Sequence, residues 1–70
     1  MYRLRDKTYT TMKPLVNKIV DIMNKDKSRS IIVTVAVPSR IDRGLLYKRL
    51  ERRGMDISRV HVYVKKSNDQ

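Results

Sequence analysis

Seventy residues make one small domain. With no cysteine and one histidine, His61, the chain excludes disulfides, thiolate metal sites and a histidine-built zinc site. Seventeen Lys+Arg against seven Asp+Glu give a formal charge of +10, which favours polyanions as partners: DNA, RNA or an anionic membrane surface.

A core of this size is marginal. Small scaffolds usually carry a staple, and with the covalent and metal ones excluded, association remains. The expectation is a homodimer or a larger partner. No stretch approaches the ~18 apolar residues of a membrane span, and MYRLRDKTYTT has no apolar run of the signal-peptide kind. A cytoplasmic protein, nucleoid- or ribosome-associated, with no membrane partner, is expected. Residues 1–66 read as the domain and 67–70 as a frayed tail.

At the N-terminus, Tyr2 and Leu4 alternate with Arg3 and Arg5, which suits a short edge strand. DKTYTT then offers polar residues suited to a helix start. In MKPLVNKIVDIMNKDK, Met12, Leu15, Val16, Ile19, Val20 and Met23 recur at spacings of three and four. That is one buried stripe of a helix beginning near Met12, because Pro14 is tolerated only in a first turn.

SIIVTVAVP follows. Ile31, Val33, Val35 and Val37 share one face; Ile32, Thr34 and Ala36 share the other. Both faces are apolar or small, so Ile31–Val37 reads as a strand covered on both sides. Pro38 ends it. Ser39 is a good N-cap with Asp42 three residues on, and opens a helix over 40–53. Ile41, Leu45, Leu46 and Leu50 give it a broad apolar side, and Gly54 a stop. In the last segment Val60, Val62 and Val64 alternate with His61, Tyr63 and Lys65, so Arg59–Val64 reads as a strand.

The predicted fold is a small α+β or α/β domain, (β)αβαβ, with a two- or three-stranded sheet, two helices and a right-handed βαβ crossover. VTVAVPSRI, then the helix, RRG and ISR, also resembles the ribbon-helix-helix repressors from Ile31 to about Lys66. That resemblance implies paired strands in the DNA major groove, a second helix on SRVHVYVKK and an added N-terminal helix. Its groove-facing residues are then Ile32, Thr34 and Ala36, of which only Thr34 can hydrogen-bond a base edge. In element order and charge, though in no motif, βαβαβ is also similar to the archaeal chromatin protein Alba. The same holds for the C-terminal domain of bacterial translation initiation factor three. Both bind nucleic acid.

Catalysis has little to work with. His61 stands alone on a polar face, and Asp42, Glu51 and Asp56 are spread over a basic region as charge partners. No phosphate-binding glycine loop or metalloprotease motif occurs. A non-enzyme without cofactor or metal is expected.

The candidate nucleic-acid contacts are basic. Arg40, Arg43, Arg49, Arg52 and Arg53 lie on the second helix, with Arg49, Arg52 and Arg53 within one third of its circumference. Arg59, Lys65 and Lys66 flank the last strand, and Arg3, Arg5 and Lys7 join them only if the N-terminal strand forms. Tyr63, beside His61 and Lys65, suits stacking on an unpaired base. Ser39 caps a helix start at which a phosphate can sit, held by Arg40 or Arg43. The expected function is nucleic-acid binding, mostly through phosphates, in an accessory, architectural or regulatory role. The alternatives are a module binding an acidic protein and a ribbon-helix-helix regulator.

Overall fold

The computed structural model describes residues 1–65; Lys66 and the expected frayed tail lie outside the described residues. The elements are β1 (Tyr2–Leu4), β2 (Lys7–Tyr9), α1 (Met12–Lys25), β3 (Val33–Val37), α2 (Arg40–Arg52), a 3-10 turn over Ile57–Arg59 and β4 (Val60–Val64). They form a small α+β fold with a four-stranded mixed sheet in the order β2-β1-β3-β4. β1 runs antiparallel to both β2 and β3, while β3 and β4 are parallel and joined through α2.

Three expectations change. DKTYTT does not start the helix: Lys7–Tyr9 pairs back on β1 as a second strand. The turn is only Arg5-Asp6, with Arg5 at φ 58°, so a left-handed conformation is held by a residue that gives no glycine or asparagine signal. Residues 31–32 precede β3, and the second face of the strand is open at Ile32, 66 % exposed, and at Thr34, while Ala36 on that face is buried as expected. Finally, 60–64 is a strand in parallel register with β3, so the second helix of a ribbon-helix-helix fold does not form.

Both helices lie on one side of the sheet. The predicted α1 stripe is buried in full, and it meets Leu4, Val33, Val35, Val37, Val60 and Val62 in a single core cluster. From α2 only Leu46 and Leu50 are buried; Ile41 is 75 % exposed and Leu45 is also exposed. Four apolar residues cover more of the circumference than one sheet contact can bury. An added Cβ at Gly44 meets nothing within 4 Å, so this glycine serves no close approach. Gly54, at φ 76°, closes α2 as read from the sequence. Met55 N–H bonds to Leu50 O and Gly54 N–H to Glu51 O, the paired bonds of a Schellman cap. On the outer edge of β4, the Tyr47 hydroxyl donates to Val60 O (3.1 Å) and accepts from Val62 N–H (3.0 Å), covering backbone groups that an edge strand otherwise leaves open.

The long α1–β3 connection is stapled by Asp26 and Arg59. Arg59 Nη2 donates to Asp26 Oδ2 at 2.7 Å, and the two side chains are only 16 % and 15 % exposed. Ile31 N–H donates to the same oxygen (2.8 Å) and the Ser28 hydroxyl to Oδ1 (2.7 Å). The hydrogen bond from Ser28 is the main reason the Asp26 carboxyl titrates below its ordinary 3.8, with Ile31 N–H and Arg59 adding to it against partial burial. Asp56 is lowered likewise, chiefly by Ser58. A carboxyl depressed on folding contributes stability that is complete above its unfolded value and is lost as the pH falls through its folded value. Thermal midpoints followed by circular dichroism therefore drop on acidification below about pH 4. In Asp26→Asn that acid-induced drop is shallower; an equal drop in variant and wild type contradicts this role for Asp26.

Candidate nucleic-acid interface

Period two in the strands puts Val33, Val35, Val37, Val60 and Val62 against the helices. It leaves Thr34, Ala36, His61 and Tyr63 on the opposite face, which no element among the described residues covers; Ala36 there is buried between its neighbours. The register lines these residues up across the sheet. Thr8 pairs with Arg3, Arg3 with Ala36, and Ala36 with Tyr63, so one row runs Thr8-Arg3-Ala36-Tyr63. In the adjoining row Thr34 pairs with His61.

Neighbouring strands lie about 4.8 Å apart, so Arg3 and Tyr63 stand two strand spacings apart with only the methyl group of Ala36 between them. The result is a shallow groove of ≈ 410 Å³, lined by Arg3, Arg5, Ile32, Thr34, Tyr63 and Lys65. Among the described residues, three cations, one aromatic ring and no acid line it. Tyr63 is 40 % exposed, and its ring is stacked with that of His61 at a centroid distance of 6.1 Å and an interplanar angle of 24°. Lys65 N–H donates to Val37 O (2.8 Å), which extends the ladder past β4 and keeps Lys65 on the same side as Tyr63.

The sequence-predicted contacts are not brought together on one surface. Tyr63 and Lys65 belong to the open sheet face. Arg49, Arg52 and Arg53 lie across the molecule, in a groove between α2 and α1. Arg40 and Arg43 are exposed at the start of α2. Arg59 is held by Asp26 and by Ile31 O (3.3 Å). Lys66 lies outside the described residues. Ser39 caps α2 as expected, accepting from Asp42 N–H at 3.2 Å, but its hydroxyl donates to Asp42 Oδ2 (2.8 Å). Tyr2 donates its hydroxyl to Asp42 Oδ1 (3.1 Å). Burial, with Asp42 beside it, raises the Tyr2 pKa above its usual 10.0. The first turn of α2 thus already carries a carboxylate where a phosphate was expected.

Ile32 and Thr34 were hidden because their face reads as apolar and interior, which holds for Ala36 alone. The signal available was size: Thr and Ala in an otherwise valine-rich strand mark a face with less to pack against. No protein-family model, curated protein or solved structure matches this chain. Among the described residues no helix is long and apolar enough to cross a membrane, and no three His, Cys, Asp or Glu cluster to hold a metal ion.

Proposed function

We propose that this protein binds single-stranded nucleic acid, DNA or RNA, on the open face of its sheet. The observation that carries this reading is the row Arg3-Ala36-Tyr63, in which a small residue separates an arginine from an exposed ring on a surface lined by no acid among the described residues. A tyrosine ring offers a stacking platform to any unpaired base, and the flanking arginines and lysine neutralise phosphates. Bases inside a duplex do not present their faces, so this surface favours a single strand. Thr34 and the Tyr63 hydroxyl are the uncharged hydrogen-bonding groups lining the groove, which gives little sequence reading and fits an accessory role.

Titration of a fluorescently labelled oligonucleotide at rising salt tests the proposal. With Arg3, Arg5 and Lys65 each neutralising one phosphate, log K falls against log salt with a slope of about −2. Affinity that does not change with salt contradicts it.

One observation supports a second reading, a protein-interaction module. Ile41 and Leu45 are exposed one turn apart on α2, beside Arg40 and Lys48. An acidic protein or a second copy of the chain can cover such a patch, and a homodimer built on it supplies the association expected for a small core.

A further inference from the structure

The groove on the helix side repeats the chemistry of the sheet face without its aromatic ring. There the first turns of α1 meet the last turns of α2, and a depression of ≈ 370 Å³ is lined by Lys13, Val16, Asn17, Arg49, Arg52 and Arg53. Four of the six residues are cations and none is an acid. The ion pairs found among the described residues, Lys25 with Asp21 and Arg59 with Asp26, involve none of them. Their one side-chain hydrogen bond is from Arg53 Nη1 to Asn17 Oδ1 (3.0 Å).

Fold stability does not account for this cluster. Arg49 and Arg52 suit the C-terminal end of α2, but Lys13 sits in the first turn of α1, which has no acidic residue. A cation is disfavoured at that end of a helix dipole, and four like charges around one groove repel one another. An external polyanion relieves both. With no ring to stack a base, the groove is suited to the phosphate backbone alone.

We propose that this groove is a second nucleic-acid site, so that one protein molecule holds two backbone segments on opposite sides of its helix-on-sheet sandwich. The inference rests on the sheet-face reading for the first segment. The second segment is a phosphate backbone of either a single strand or a duplex.

The test is energy transfer between two non-complementary single strands of about six nucleotides, one carrying a donor and one an acceptor, on addition of the full-length protein. A parallel arm replaces the acceptor strand with a short duplex. Transfer in either arm supports the inference, and the arm that responds identifies the second segment. In the Arg49→Gln/Arg52→Gln variant, transfer falls at least about tenfold while affinity for a single strand stays within about threefold. Screening over about 8 Å at 0.15 M salt isolates the two faces from each other.

Transfer undiminished in that variant overturns the second site, because the two strands are then joined in another way, such as protein self-association. If the wild type binds one strand but gives no transfer in either arm, the second site is overturned and the sheet-face reading stands. If it binds no strand at all, both fall. Strand-loaded protein that takes up poly-glutamate but no second nucleic acid assigns the groove to an acidic protein and overturns the proposal.

Discussion

Tyr63→Ala weakens binding of a short single strand about five- to 150-fold, the range for removing one stacked base of roughly 1–3 kcal/mol. The side chain points away from the core, so circular dichroism and the thermal midpoint stay close to wild type. The substitution removes no charge, so the salt slope is unchanged while the whole titration shifts to weaker binding. Tyr63→Phe keeps the ring and most of the affinity. This pattern separates stacking from electrostatics: a variant that lost a phosphate contact would change the slope. Unchanged affinity in Tyr63→Ala means that the ring does not meet the ligand. Tyr47 makes the contrast clear, since its hydroxyl is bonded to the backbone of β4 and its replacement acts on the fold.

Leu50→Ala removes most of the stability of the fold. Leu50 is 0 % exposed and sits where α2 meets the sheet. Truncating a buried leucine costs about 2–5 kcal/mol, and a single core of this size supplies only about 3–5 kcal/mol in total. Urea unfolding of the wild type is therefore a cooperative transition that Leu50→Ala shifts to very low denaturant or removes. Ile41→Ala, on the same helix but 75 % exposed, leaves the unfolding free energy within about 0.5 kcal/mol of wild type. A large loss from Ile41→Ala, or a small one from Leu50→Ala, contradicts the orientation of α2.

That orientation marks where sequence reading stops. The α1 stripe was legible because six apolar residues share one spacing, and β4 because its valines alternate with polar residues. Ser39 and Gly54 announced both ends of α2. Which leucines of α2 face inward was not legible, since Ile41 and Leu45 recur at helical spacing as Leu46 and Leu50 do; the crossover geometry decides between them. The β1–β2 hairpin was hidden by an arginine in the left-handed turn. The open sheet face was hidden because Ile32 resembles core yet is exposed. Of the candidate site, Tyr63 and Lys65 could be found locally. Arg3 and Arg5 join them only through β1–β3 pairing, a contact across more than thirty residues of chain. Arg49, Arg52 and Arg53 were grouped correctly by helical angle, but nothing in the pattern shows that they face away from Tyr63.

Amide chemical shifts of the isotope-labelled protein, followed while a short single-stranded oligonucleotide is added, locate the ligand directly. Binding on the open sheet face moves the resonances of Arg3, Thr34, Ala36, His61 and Tyr63 together at the first equivalent, with helix-side residues 49–53 responding only at higher ratios. Resonances in β1, β3 and β4 that stay fixed while the oligonucleotide binds contradict the sheet-face site.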